Sequence, residues 1–521
     1  MNKSRVQAVA FNTTVGIIQK VVTVIANLVI QIIFVRTLGE QYAGISALFT
    51  SVLTVLAFAD LGIGTAIIYN LYKPIAEKNY EKIHAYLHFY STAYRIVSLV
   101  VILGGIVALP LLPFIVIDVP AISENINIIF LLFVADTAVS YLYVYKATFL
   151  NACQENYVVS AVHSVAIICK TIGIAVFLTL FKSYYAYLVF SIITTFMQNI
   201  VVSLIADKKY SFLKEKSKTR LNKGEKKQIY NNVFAMSLYK VSGTVLNSTD
   251  NIIISNMSGT VQVGLLSNQI LIVRQIYDVV IQFFSSVTSS VGNLSTENRT
   301  DYENKILNTL RFIAFWIFMF CSISIFVLSP PFIKLAFGEQ YIVAYPVLFF
   351  MCFDFYVKGM INPVSAFRTS HGLFVQGKYR PLIMAVLNII LSVFFMKLFG
   401  IFGVFAATVV SRLLTQFWFD PYIVYKHIFN KNPTKYFVKS IIWFLFTCVV
   451  GGLTWYIASF VTTQSLILNI FLKAIVCILV PNILVIVFFC KTEEFKKTVS
   501  IVLQLFKGIT SRFKRRGKVS D

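Results

Sequence analysis

Apolar runs of about 17 to 25 residues recur along this 521-residue chain, and a run of that length crosses a ~30 Å hydrocarbon core as α-helix. They fall at residues 13–35, 43–68, 96–117, 126–150, 158–181, 184–206, 231–255, 263–289, 312–329, 345–367, 382–398, 402–425, 440–460 and 466–490. In a bilayer every backbone polar group must be satisfied within its own segment or within a closed barrel, and segments of this length satisfy themselves as helices. The expected fold class is therefore all-α, a polytopic membrane protein with 14 transmembrane helices. Composition excludes the soluble alternative, because 57% of residues are apolar and 13% charged, too few charges to cover a globule. The short spans 382–398 and 402–425, beside Lys397, can also be read as one broken hairpin.

Orientation follows from the cations. Of the 46 Lys and Arg residues, 34 fall in the set of connecting segments that includes both termini, four in the alternate set, counting there Lys397 at the edge of span 382–398, and eight deeper inside spans. Lys and Arg are retained on the cytoplasmic side, so both ends are expected there. The leading segment carries Lys3 and Arg5 before a full-length span and shows no small-residue cleavage site, so it reads as a retained first helix. In a soluble protein a net charge of +24 would suggest nucleic acid. Here it reads as a topology signal with attraction to anionic membrane lipids, and no nucleic acid partner is expected. The seven cysteines form no CxxC pair and lie mostly within spans, which indicates neither a disulfide framework nor a metal centre.

The most polar interior stretch, residues 207–230, divides the chain. Residues 1–206 form an expected N-terminal lobe of six spans and residues 231–426 a C-terminal lobe of six, with 207–230 as a basic cytoplasmic linker. A shift of 220 residues aligns Asn12, Lys20, Val21, Asn27, Ile32, Ile33, Gly39 and Gly44 with Asn232, Lys240, Val241, Asn247, Ile252, Ile253, Gly259 and Gly264. Six spans followed by six with the same entry side make a parallel repeat, an arrangement found in transporters. Residues 427–491 add two spans, and 492–521 form a basic tail. In that tail Phe495, Val499, Val502, Phe506, Ile509 and Phe513 recur at spacings of three and four, the pattern of a helix lying in the headgroup layer.

The run Gly39-Glu-Gln-Tyr-Ala-Gly44, followed by Phe58-Ala-Asp60-Leu-Gly62-Ile-Gly64, resembles the first loop and second helix of bacterial Wzx-type polysaccharide flippases, members of the multidrug/oligosaccharidyl-lipid/polysaccharide exporter superfamily. Phe337-Gly-Glu-Gln-Tyr341, Gly377-Lys-Tyr-Arg-Pro381 with Asn388, and Gly400-Ile-Phe-Gly403 are similar to the same family. The resemblance implies 14 helices in two lobes around a central cavity lined by spans 1, 2, 7 and 8. It also implies transport of an undecaprenyl-diphosphate-linked oligosaccharide across the bacterial plasma membrane for capsule or exopolysaccharide assembly, with a polysaccharide polymerase and glycosyltransferases as partners.

Lys20, Lys146, Lys170, Lys240, Arg274, Lys358, Arg412 and Lys473 lie within spans. A central cation costs about 2.5–3.5 kcal/mol on insertion scales, so each needs protein, water or a ligand. Lys146 and Lys473 are near enough to span ends to snorkel. Lys20 and Lys240 are repeat-related, and Arg274 stands midway along span 8. These three are the expected diphosphate clamp, with Arg412 and Lys170 as second choices, because cations in a restricted cavity suit phosphate oxygens. Asp354 and Lys358, spaced i, i+4, are expected to form a local ion pair, and Arg274 with Asp278 has the same spacing. Asp60, Asp136, Asp250, Asp278 and Asp420 are candidates for H⁺ or Na⁺ coupling, Asp60 and Asp250 first among them, and no other cofactor is expected.

His84 and His88 share a helical face but lack a third ligand, so no metal site is expected. Trp316, Trp418, Trp443 and Trp455 lie near span ends and read as headgroup anchors. No P-loop, Gly-x-Ser-x-Gly or HExxH sequence occurs, so neither ATP hydrolysis nor acyl transfer is indicated and the chain reads as a transporter rather than an enzyme. The expected function is a flippase working by alternating access, its lipid tail grooved by spans 13 and 14. The alternatives are a flippase for a teichoic acid or peptidoglycan lipid precursor, or, in a different class, a membrane-embedded glycan polymerase or ligase.

Overall fold

Helix after helix, joined by short turns, accounts for the computed structural model, which describes residues 5–56, 63–116, 122–214, 221–227, 229, 248–294, 300–371, 373, 376, 377 and 379–500. The helices are α1 (Arg5–Leu38), α2 (Glu40–Leu56), α3 (Ile63–Ala76), α4 (Tyr80–Ala108), α5 (Leu112–Ile115), α6 (Ile126–Ser140), α7 (Val144–Ala152), α8 (Asn156–Phe181) and α9 (Tyr184–Lys209). They continue with α10 (248–258), α11 (Thr260–Leu294), α12 (Thr300–Ala336), α13 (Tyr345–Ser370), α14 (Arg380–Phe399), α15 (Ile401–Arg412), α16 (Trp418–Val424), α17 (Thr434–Ser459) and α18 (Leu466–Phe489). Side-chain caps set several starts: Asn79 accepts from the Lys82 amide, Asn125 from those of Asn127 and Ile128, and Ser183 from that of Ala186, each satisfying amides that the first turn leaves unpaired.

Among the described residues, 11 helices are long and apolar enough to cross a membrane, and each coincides with an expected span. The all-α polytopic class therefore holds. Expected spans 43–68 and 231–255 run partly through residues 57–62 and 230–247, outside those described, and span 263–289 is part of the 35-residue α11. The hairpin beside Lys397 resolves into two helices, parted at Gly400 with φ +69°, a conformation that glycine adopts without steric penalty.

The chain forms two compact units, one of residues 1–272 and 381–407, the other of residues 273–380 and 408–521. In the first, the glycines matched by the 220-residue shift do matched work. Gly39 and Gly259 have φ +90° and +91°. A Cβ at Gly44 would overlap the Thr260 carbonyl and one at Gly264 the Glu40 carbonyl, so α2 and α11 touch backbone to backbone. The linker docks in the same unit. Asn222 and Glu225 cap each other, and the Glu225 carboxylate meets the Lys82 ammonium at 2.9 Å. That hydrogen bond holds Glu225 below its ordinary pKa of 4.5.

The second unit is centred on Phe312, Phe315, Phe318, Phe355 and Trp443. Trp443, expected at the headgroups, is 1% exposed and stacks on Phe315 with centroids 4.9 Å apart. Trp316 donates to Asn482 Oδ1 at 2.7 Å and stacks on Phe495 of the tail. Trp443 is a core residue, because Phe312 and Phe315 of α12 pack on its ring, while Trp316 is half-buried against that core and Trp418 and Trp455 are exposed. The tail expectation beyond residue 500 lies outside the described residues. The stretch after α15 relaxes into π-helix at Leu413–Phe417 and again at Tyr425–Phe429, on either side of Pro421, whose ring cannot fit regular α-helical hydrogen bonding.

Candidate functional site

In the first unit polar groups run along the apolar helices α6, α8 and α9. Lys170 donates to Ser191 Oγ at 2.6 Å, and Ser191 donates to Asp136 Oδ2 at 3.3 Å. His163 meets Gln198 Oε1 at 3.3 Å, and Lys20 of α1 acts on His163 electrostatically. Gln31 of α1 donates to Asn268 of α11 at 2.8 Å, and Asn268 and its neighbour Gln269 are almost fully buried. Lys146, expected to snorkel, instead pairs with Asp207 at 2.7 Å. Lys170 is therefore a hydrogen-bonded cation with an acid one serine away. Lys20 is half-buried.

In the second unit Arg412 turns its fork on Asp354, Nε to Oδ1 at 2.7 Å and the second nitrogen to Oδ2 at 3.3 Å. This two-pronged pair has the geometry in which guanidinium and carboxylate bind most strongly. It also corrects the expected Asp354–Lys358 pair: the carboxylate faces α15, and the Lys358 ammonium lies over the Tyr277 ring, 4.1 Å from its centroid, held by cation–π attraction instead. Tyr277 in turn accepts from Asn362 at 3.2 Å. Arg274, on the same helix as Tyr277, is exposed and makes no ion pair among the described residues, so the i, i+4 spacing to Asp278 does not close into a bridge.

Of the residues expected to bind the diphosphate or couple an ion, Lys20, Lys170, Arg274, Arg412, Asp136, Asp250, Asp278 and Asp420 are placed, Asp250 and Asp278 both half-buried. Lys240 and Asp60 lie outside the described residues. Lys20, Lys170, Asp136 and Asp250 belong to the first unit, and Arg274, Asp278, Arg412 and Asp420 to the second. His84 hydrogen-bonds to the Phe212 carbonyl, and no group of three His, Cys, Asp or Glu side chains among the described residues is placed to hold a metal.

Two arrangements in the second unit escaped the reading of the sequence, the burial of Arg311 and the pairing of Asp420, itself one of the candidate coupling acids. Arg311, 1% exposed, lies 3.6 Å from the Tyr436 ring centroid and donates to the Tyr436 carbonyl and Ser440 Oγ at 3.1 and 2.9 Å. It falls one residue before an expected span and so counted as a loop cation. Asp420, also 1% exposed, accepts from Arg368 at 2.7 Å and from Arg380 at 2.6 Å. Arg368 further donates to the carbonyls of Leu373 and Gln376, so one carboxylate ties together the connection between α13 and α14. Arg380 belongs to the quoted Gly377–Pro381 run, the signal that could have found this network. Elsewhere in the unit an apolar cavity of about 480 Å³ is lined by Ile323, Phe326, Phe349, Phe353, Phe444 and Trp455 from α12, α13 and α17; α18, expected to share a lipid groove with α17, does not line it.

Residues 9–295 match the family described as polysaccharide biosynthesis protein. No curated protein matches the chain. Among solved structures the fold is similar to that of the lipid II flippase MurJ in an inward closed conformation, with TM-score 0.66 and 16% identity over 92% of this chain and 98% of that one. It is also similar to an inward-facing multidrug resistance MATE family transporter of the MOP superfamily, with TM-score 0.55 and 16% identity over 77% and 94%. MATE in complex with MaL6 gives TM-score 0.54 and 16% identity over 80% and 96%. The fold is thus shared with a lipid II flippase and with MATE transporters, one of them named as a member of the MOP superfamily.

Proposed function

Because the chain belongs to the polysaccharide biosynthesis protein family, we propose that it is a Wzx-type flippase, which moves an undecaprenyl-diphosphate-linked oligosaccharide repeat unit from the cytoplasmic to the outer leaflet for capsule or exopolysaccharide assembly. The observation that carries the reading is Arg274, an exposed guanidinium midway along α11 with no ion pair among the described residues. An unneutralised cation at such a position is costly without an anionic ligand or water, and a diphosphate supplies several acceptor oxygens. The shared fold adds support, since one of the solved structures that have it is named for flipping lipid II.

In this mechanism Lys20, Lys240 and Arg274 bind the diphosphate. Lys170 is a secondary contact; Arg412, already closed on Asp354, contributes mainly by holding α13 to α15. The isoprenoid tail stays in apolar surroundings, for which the α12–α13–α17 cavity is suitably lined. The two repeat-related lobes, residues 1–206 and 231–426, rock to re-expose the headgroup outside, both termini remaining cytoplasmic in the bacterial plasma membrane. Asp60, Asp250 and Asp278 are the acids proposed to couple the cycle to H⁺ or Na⁺. A polymerase and glycosyltransferases are the proposed partners. Replacing Lys20, Lys240 and Arg274 together by glutamine is expected to abolish surface glycan export in a cell dependent on this chain, at unchanged protein level. Export that persists would reject the clamp.

A further inference from the structure

Expected span 4 is broken, and the break builds a site that the proposed clamp does not use. α6 ends at Ser140, α7 starts at Val144, and between them Tyr143 takes the left-handed conformation at φ 65°, which a residue with a Cβ adopts only at a steric cost. At the break Ala138 O and Val139 O keep i, i+3 partners, the amides of Tyr141 and Leu142 at 3.3 and 3.0 Å, and neighbouring helices add donors. Ser98 Oγ donates to Ala138 O at 3.0 Å, and Asn199 Nδ2 donates to the carbonyls of Val139 and Ser140 at 3.4 and 3.0 Å. Irregular backbone persists in a membrane segment where protein groups satisfy it in this way.

On an unbroken helix Tyr141 and Tyr145 would share a face and Tyr143 would lie opposite. With the break, all three join Ser91, Tyr94 and Arg95 of α4 around one cavity of about 100 Å³. Tyr94 and Tyr141 stack, ring centroids 6.3 Å apart, to form part of its wall. The side chains of Ser91, Arg95, Tyr143 and Tyr145 make no hydrogen bond or ion pair with any described residue, and no acid lines the cavity. A guanidinium and three hydroxyls therefore converge with their donors unused.

The position of the cavity identifies what those donors meet. α4 exposes Ile96, Leu99, Leu103, Ile106 and Val107 at helical spacing, a stripe suited to lipid chains. Arg95 stands at the end of that stripe, and the next exposed residues toward the start of α4 are the polar Thr92 and His88. This is the end that the cation count assigns to the cytoplasm, where anionic headgroups meet basic side chains. Tyrosine rings favour the same depth.

We propose that this cavity binds the phosphate of an anionic phospholipid headgroup, with Arg95 as the charged partner and Ser91, Tyr143 and Tyr145 as hydroxyl donors. The volume admits a phosphate group and leaves no room for an oligosaccharide.

The test uses the full-length protein, delipidated in detergent and titrated with phosphatidylglycerol or with phosphate-free diacylglycerol under native mass spectrometry. Arg95→Gln is expected to weaken the tightest phosphatidylglycerol site about tenfold, the scale of one lost charge-assisted contact. Tyr143→Phe and Tyr145→Phe, which keep the rings and so the packing, should weaken it by a smaller factor. Diacylglycerol binding should not change. Unchanged phosphatidylglycerol binding in all three variants would overturn the proposal, as would an equal loss of diacylglycerol, which would make the cavity merely apolar. Displacement of the lipid by inorganic phosphate, with the same sensitivity to Arg95→Gln, would reassign the site to free phosphate. An undecaprenyl-diphosphate probe whose binding falls in Arg95→Gln while that of phosphatidylglycerol does not would reassign it to the transported lipid.

Discussion

Two guanidinium groups closing on one buried carboxylate leave a net positive cluster, and its stability rests on the single acid between them. Asp420 plays that part for Arg368 and Arg380, and removing one member of a buried charged group leaves the others uncompensated. Asp420→Asn is therefore expected to destabilise the second unit by about 3–5 kcal/mol, read as a lowered unfolding midpoint in detergent, with Asp420→Glu recovering part of the loss. Gly44 makes an equally sharp demand of another kind. A valine there would meet the Thr260 carbonyl and is expected to cost about 1–3 kcal/mol by overpacking, whereas Gly16→Ala, with nothing within 4 Å of the new Cβ, should be nearly silent in the same thermal assay. The glycine could be picked out from the sequence because the 220-residue shift matched it to Gly264. The Asp420 cluster left a fainter signal, Arg380 within the Gly377–Pro381 run, because Arg368 and Arg380 sit in a connecting segment where the topology rule already explains cations. The Asp354–Lys358 spacing misled for a related reason: i, i+4 geometry permits a pair, and a better-shaped partner on another helix took the carboxylate.

At the scale of elements, hydropathy located the helices well because a bilayer imposes a minimum apolar length that few accidental runs reach. What it could not convey is departure from regularity. The left-handed turn at Tyr143 is held by tertiary partners, Asn199 and Ser98 among them, that no local pattern announces, whereas the two π-helical stretches flank Pro421. The linker behaves similarly: it reads as a basic spacer, yet its acid Glu225 fastens it to α4 through Lys82. Since the Lys82 hydrogen bond lowers the Glu225 pKa from 4.5, the stabilisation it gives is fully present above that ordinary value and is lost as pH falls through the lowered one. Amide exchange in residues 221–227, corrected for intrinsic rates, is expected to be slow at neutral pH and to accelerate in acid below the ordinary glutamate range. Lys82→Met should make exchange fast at both.

For the whole molecule, the likeness to a flippase and to transporters at 16% identity shows how little of the fold depends on particular residues and how much on spans, turns and a few close-packed glycines. The reciprocal contact of Gly44 with Thr260 and of Gly264 with Glu40 ties the first helices to ones encoded more than 200 positions later. It accords with the first compact unit reaching residue 272, a unit that also includes 381–407. That interleaving bears on biogenesis. A ribosome feeding this chain into the membrane delivers the first unit unfinished, then threads residues 273–380 of the second before supplying the missing pieces. The first unit is complete only once residue 407 has emerged, so its early helices are expected to wait in the bilayer for late ones to leave the translocon.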